Sequence, residues 1–125
     1  MIHTTLVIGA NAHQREMAIA NAVTANTDSA LIKSAILLEG LSDGKPLLEE
    51  LDHCTVVRIA AGCLCCSNNM IMRVYLNRLI QLQPQQLFLS LSNHDHLDRI
   101  MELINAGSYV NILEFRQLLN LNETN

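Results

Sequence analysis

Basic and aromatic residues are scarce in this sequence. The 125 residues contain eight Lys and Arg against twelve Asp and Glu, which gives a formal net charge of −4, and only 3% are aromatic. Proteins that bind nucleic acid usually cluster cations on one surface and stack aromatic rings on the bases. The composition therefore argues against nucleic acid as a partner.

Long apolar runs are missing as well. No stretch approaches the ~18 consecutive apolar residues of a membrane span, and the opening segment MIHTTLVIGANAHQ lacks the basic and apolar regions of a signal peptide. We therefore expect a cytoplasmic protein without a membrane partner. Because 50% of the residues are hydrophobic, the chain has enough apolar surface to bury the core of a single domain, residues 1–125.

Short apolar runs alternate with helical patterns along the chain. The predicted strands are 4–9, 30–40, 54–62 and 86–92, and the predicted helices are 10–27, 46–51, 69–82 and 92–107. The apolar tail that follows is predicted to be helical in its second half. Alternating strands and helices form parallel βαβ units, so the pattern predicts a three-layer α/β domain with a mainly parallel sheet.

The segments that follow the predicted strands contain most of the polar residues of chemical interest. They are the segment 9–16, Glu39, the cysteine-rich segment 62–66 and the segment 93–96. Ligands of parallel sheets bind at the carboxyl ends of the strands. We therefore expect the functional site, if there is one, at this edge of the sheet.

Three of the four cysteines lie within four positions, in the segment GCLCC. In a reducing compartment Cys63, Cys65 and Cys66 are more often metal ligands or redox groups than disulfide partners. The fourth cysteine, Cys54, begins its predicted strand and is expected to lie in the core, far from the other three. The cluster is therefore consistent with a transition-metal site of up to three thiolate ligands, with a redox pair, or with small side chains that simply pack.

Zinc sites have about four ligands, so one more is needed. The candidates are the Glu39 carboxylate, the imidazoles of His94 and His96, and a cysteine from a second subunit. Soft thiolates would also suit copper(I), whereas cobalt or nickel would favour a mixed set with imidazole or carboxylate.

The order of the elements, together with GCLCC, resembles the first half of the CobW-type P-loop GTPases, a family related to metallochaperones for cobalt, nickel and zinc. The resemblance covers roughly residues 3–95. Its most specific part is the run from Gly62 to Cys66, which is similar to the family's G-C-x-C-C motif, whose thiolates bind zinc or a similar ion. The resemblance also implies a ligand role for Glu39, which stands where the family has an acidic residue, although Leu38 and Gly40 depart from the family's pattern.

The GTPase motifs of that family are not retained. A P-loop has the form G-x-x-x-x-G-K-[ST], in which the Lys contacts phosphate oxygens and the hydroxyl holds Mg²⁺. Here Gly9 is kept, but Gln14, Arg15 and Glu16 replace the last three motif residues. The sequence thus resembles a truncated relative with a degenerate P-loop that does not hydrolyse GTP and binds no nucleotide. For Arg15 beside Glu16, a surface ion pair is the simplest expectation.

Three functions agree with these observations. The first is a metal carrier or sensor that uses Cys63, Cys65 and Cys66 with Glu39 or a histidine. The second is a thiol redox protein that pairs Cys63 with Cys65 or Cys66. The third is an interaction module on a remnant P-loop fold, in which a protein partner, a second copy or the chain's own apolar tail, 110–121, covers exposed sheet edge and apolar surface.

Overall fold

The computed structural model describes residues 1–9, 11–25, 32–39, 48, 53–59, 70–91, 95–105 and 107–121. Its strands are β1 (Ile2–Ile8), β2 (Ser34–Glu39), β3 (Cys54–Ile59), β4 (Gln86–Leu91) and β5 (Leu113–Asn120), and its helices are α1 (Ala12–Thr24), α2 (Met70–Gln81) and α3 (Asp95–Ile104). A 3₁₀ turn, Gly107–Tyr109, precedes β5. Of the predicted helix 46–51 only Leu48 lies among the described residues, and its side chain is buried.

The five strands form one parallel sheet in the order β3-β2-β4-β1-β5. The chain moves from β1 through α1 towards β2 and β3, and then reverses through α2 to β4 and through α3 to β5. Right-handed crossovers in opposite directions place their helices on opposite faces of a sheet. Accordingly α1 packs against one face, while α2 and α3 pack against the other. The predicted α/β fold with a parallel sheet between two layers is confirmed.

The core is divided between the two faces by the alternation of side chains along each strand. In β4, Leu87 and Leu89 pack against the α2 and α3 side, whereas Phe88 packs against the α1 side. Every residue of β2 is buried because other parts of the chain pack against both faces of this strand. Such strands appear in the sequence as continuous apolar runs, and the four strand predictions fall on β1 to β4.

The prediction of a helix in the second half of the tail is wrong. Leu113–Asn120 is a strand that pairs in parallel with β1. Without it, the backbone N–H and C=O groups along that side of β1 would lack strand partners. Pairing with an existing strand therefore outweighs the helical spacing of the apolar residues in the tail.

Helices of the described part of the chain are short. None of them is long and apolar enough to cross a membrane.

Candidate functional site

The order of the strands identifies one place at the carboxyl edge of the sheet where a ligand would be expected. β1 and β4 are neighbours, but the chain leaves β1 in one direction, towards β2, and leaves β4 in the other, towards β5. Such a reversal opens a crevice between the two strand ends, and doubly wound sheets bind their ligands there. In this protein the side chain of Arg15 lies at that position.

The start of α1 directs Arg15 into the sheet. Gly9 has a φ of 88°, which a glycine adopts without strain, and turns the chain out of β1. Asn11 then caps the helix through a capping box: its side-chain oxygen accepts from the Gln14 N–H at 2.8 Å, and the Gln14 side chain accepts from the Asn11 N–H at 3.2 Å. Arg15 follows in the first turn and is only 2% exposed.

The Arg15 guanidinium group connects the ends of three strands. Its Nε donates to Ser90 Oγ of β4 at 2.9 Å, its Nη1 to the carbonyl of Gly9 at 3.1 Å, and its Nη2 to the carbonyl of Glu39 at 3.4 Å. Burial lowers the pKa of Arg15, and the carboxylates of Glu39 and Glu16 act in the opposite direction. Because an arginine titrates so far above neutrality, the group remains a cation.

A buried ion pair lies beside the Arg15 guanidinium group. Glu16 of α1 accepts from Arg58 of β3, with 2.5 Å between Oε1 and Nη2 and with side-chain exposures of 10% and 13%. The expected surface ion pair is therefore wrong, since both Arg15 and Glu16 are buried. Successive residues of a helix project about 100° apart, so Arg15 extends towards β1 and β4 whereas Glu16 extends towards β3. We refer to Arg15, Glu16, Glu39, Arg58 and Ser90 as the charge cluster.

Glu39, the predicted carboxylate ligand, ends β2 at the same edge and is 2% exposed. It pairs in register with Ile59, the last residue of β3. By strand alternation its side chain is on the same face as Ala35 and Leu37, which is the face that α2 covers. The cysteine-rich segment follows Ile59 in the chain, so Glu39 is next to the strand end from which that segment departs.

The predicted thiolate ligands Cys63, Cys65 and Cys66 lie outside the described residues, and so does His94. His96 belongs to α3. Within the described ranges, no group of three or more His, Cys, Asp or Glu side chains could hold a metal ion.

Cys54 is at the opposite, amino-terminal edge of the sheet, where β3 begins. Its half-buried side chain packs against the α1-side core, as expected, and burial raises the pKa of its thiol. It borders a cavity of about 300 Å³ together with Ser34 and Thr55. The thiol is therefore protonated at neutral pH and lies at the opposite end of β3 from Ile59, the residue nearest in sequence to the cysteine-rich segment among those described.

Sequence reasoning missed two members of the charge cluster, Arg58 and Ser90. Each is a polar residue near the end of an apolar strand, in CTVVRI and QLFLSL respectively. A charge in a strand predicted to be buried needs a partner of opposite charge, so Arg58 could have been matched with a carboxylate. Which carboxylate it meets depends on the placement of α1.

Comparisons with protein-family models, with curated proteins and with solved structures found no match. The resemblance to CobW-type proteins therefore rests on the sequence motifs alone.

Proposed function

We propose that this protein binds a transition metal ion, with zinc the first expectation, through the thiolates of Cys63, Cys65 and Cys66 and the carboxylate of Glu39. It acts as a metal carrier or sensor and does so without a nucleotide. The observation that carries the proposal is the position of Glu39, a buried carboxylate at the carboxyl end of β2, next to the strand from which the cysteine-rich segment departs.

Chain length supports this set of ligands. Neighbouring strands are ~4.8 Å apart, and the four residues from Ile59 to Cys63 extend for at most ~14 Å. The thiol of Cys63 can therefore reach the region of the Glu39 carboxylate, and Cys65 and Cys66 follow directly. Three thiolates and one carboxylate form a complete tetrahedral set for Zn²⁺.

The charge cluster offers further support. Three thiolates and a carboxylate around a divalent ion leave an excess of negative charge. The Arg15 cation interacts electrostatically with the Glu39 carboxylate. Burial lowers the pKa of Arg15, and of the two carboxylates that raise it Glu39 has the larger effect. A nearby buried cation reduces the repulsion among anionic ligands.

The same cluster argues against nucleotide binding. Phosphates bind at helix N-termini through free backbone N–H groups. Here the Gln14 N–H already donates a hydrogen bond to the Asn11 side chain. The side chain of Arg15, the next residue, fills the crevice between β1 and β4.

Metal content measured on protein purified in reducing, chelator-free buffer tests the proposal. We expect about one ion per chain or per pair of chains by mass spectrometry, with thiols becoming reactive after chelation. The double substitution C65S/C66S should abolish metal uptake and leave the circular dichroism spectrum of the apoprotein unchanged. The matched control is Cys54→Ser, which also removes a thiol but at the other edge of the sheet and should retain the metal.

Two results would overturn the proposal. One is full metal uptake by C65S/C66S. The other is a wild-type protein that takes up no zinc, copper(I), cobalt or nickel even after reconstitution. If thiols are then lost and recovered reversibly with oxidant and reductant, the redox alternative replaces the proposal. Glu39→Gln tests the contribution of the carboxylate separately from that of the thiolates. We expect this variant to bind zinc more weakly, whereas C65S/C66S should not bind it.

Calorimetric titration with GTP and with ATP should give no saturable heat, in the presence or absence of Mg²⁺. The physical reason is that Arg15 occupies the crevice and the helix start is capped. Metal-loaded protein should behave in the same way as apoprotein. Saturable binding in the micromolar range would show that the altered loop still holds a nucleotide.

A further inference from the structure

The pairing between β2 and β4 stops one residue before Glu39. The last pair in that register is Leu38 with Ser90. On the other side of β2, the pairing with β3 continues to Glu39 itself. Just beyond the last pair with β4, the carbonyl of Glu39 accepts a hydrogen bond from Nη2 of Arg15 at 3.4 Å. A side chain of α1 thus contacts the main chain at the end of β2, where the pairing with β4 has stopped.

Two further acceptors fix the Arg15 guanidinium group. Its Nε donates to Ser90 Oγ at 2.9 Å, and its Nη1 donates to the carbonyl of Gly9 at 3.1 Å. The side chain is 2% exposed and belongs to the first turn of α1, which the capping box holds in place. Because the guanidinium group is planar, its donors reach these acceptors in one arrangement. The main chain at Glu39 is therefore connected through one side chain to the ends of β1 and β4.

The contact with Arg15 uses the main chain of Glu39 and does not require its carboxylate oxygens. Phe88 of β4 packs on the α1 side of the sheet, and Ser90, two residues later, is on the same side. Arg15 approaches from that side, whereas strand alternation places the Glu39 carboxylate on the α2 side. The hydrogen bond to the carbonyl can therefore persist while the carboxylate binds a metal ion.

We propose that Arg15 is a positioning residue of the metal site, which fixes the main chain at Glu39 and so places the carboxylate within reach of the cysteine-rich segment. This inference rests on the proposed function. Groups that hold a metal ligand in place typically change the affinity for the metal 10- to 100-fold. Arg15 then acts on the ion through Glu39, so its effect should disappear when the carboxylate is removed.

Zinc affinity, measured by competition with a chromogenic chelator in reducing buffer, tests this role. Arg15→Lys keeps the positive charge but loses the planar fork, so we expect the zinc dissociation constant to rise roughly 10- to 100-fold. In the background of Glu39→Ala, which has no carboxylate to position, Arg15→Lys should change the dissociation constant less than about twofold. A purely structural role of Arg15 would instead give the same loss in both backgrounds.

Ser90→Ala is a milder second variant that decides the question if Arg15→Lys does not fold. It removes the acceptor of the Arg15 Nε and leaves the charge and the proposed ligands unchanged. Loss of one hydrogen bond should raise the zinc dissociation constant roughly twofold to tenfold, and again only when Glu39 is present. The control is Tyr109→Phe, which removes the hydrogen bond from the Tyr109 hydroxyl to Asn77 Oδ1, 2.6 Å long. It should lower the stability, measured by urea unfolding, without changing the zinc affinity.

The outcomes separate this inference from the proposed function. A wild-type protein that binds no metal removes both. If the wild type binds zinc and neither Arg15→Lys nor Ser90→Ala weakens the binding, the positioning role is wrong and the proposed function stands. Equal losses with and without the Glu39 carboxylate, or an equal loss from Tyr109→Phe, would likewise contradict the positioning role alone, because the affinity would then follow stability.

Discussion

Replacing Arg15 by methionine should lower the free energy of unfolding by about 3–5 kcal/mol, the usual effect of removing one partner from a buried charged group. The guanidinium group donates to Gly9, Ser90 and Glu39, and methionine can donate to none of them. The Glu39 carboxylate would also lose the cation near it. With a total stability of about 5–15 kcal/mol for a typical domain, the variant would be close to unfolding at 25 °C.

Urea unfolding followed by circular dichroism measures this effect. Arg15→Lys keeps the charge but presents one compact ammonium in place of a planar fork, so we expect a loss between those of wild type and the methionine variant. The control, Arg99→Met, changes an exposed arginine on α3 and should shift the stability by less than about 0.5 kcal/mol. Equal effects at the two positions would contradict the described contacts of Arg15.

Glu16→Leu should destabilise the protein by about 3 kcal/mol, because it leaves the Arg58 cation facing an apolar side chain in a site where both partners are largely buried. Arg58→Met should have a similar effect through the unpaired Glu16 carboxylate. The two side chains come from α1 and β3, so the loss reports on the docking of α1 against the sheet.

The double variant Glu16→Leu, Arg58→Met distinguishes an ion pair from simple loss of packing. Two apolar side chains of similar size can replace a buried ion pair at little cost, so the double variant should be more stable than either single variant. Strict additivity of the two single effects, measured by urea unfolding, would show that the residues do not interact. A matched exposed pair, Glu114 and Arg116, should show a coupling of under about 1 kcal/mol in the same cycle.

The strands could be predicted from the sequence as far as β4 because each of them has a short run of apolar or β-branched residues, which is a local pattern. The run SAILLE is an example, and all six of its residues are buried. The tail shows where such reading fails. Its apolar residues fit a helix as well as a strand, and the choice was decided by the side of β1 that needed a partner, which no local pattern records.

The candidate site likewise has a part that could be predicted from the sequence and a part that could not. The types of residue at the strand ends, including Glu39 and the cysteine-rich segment, could be located from the sequence because parallel strands bring their carboxyl ends together. The charge cluster could not. Arg15 and Glu16 are adjacent and of opposite charge, which locally favours a pair with each other, yet their main contacts are with Ser90 and Arg58 in strands far along the chain.

The sequence by itself determined an α/β domain with a parallel sheet, the edge at which its polar residues are expected, and a segment after β1 that does not have the P-loop residues. These properties depend on apolar periodicity and on residue types at fixed spacing, both of which are local. Only the tertiary structure decided that Arg15 fills the crevice between β1 and β4, that Glu16 pairs with Arg58, and that the tail forms the edge strand. Those outcomes depend on which strands become neighbours, because burying a charge or leaving a strand edge unpaired costs free energy that only a distant segment can offset.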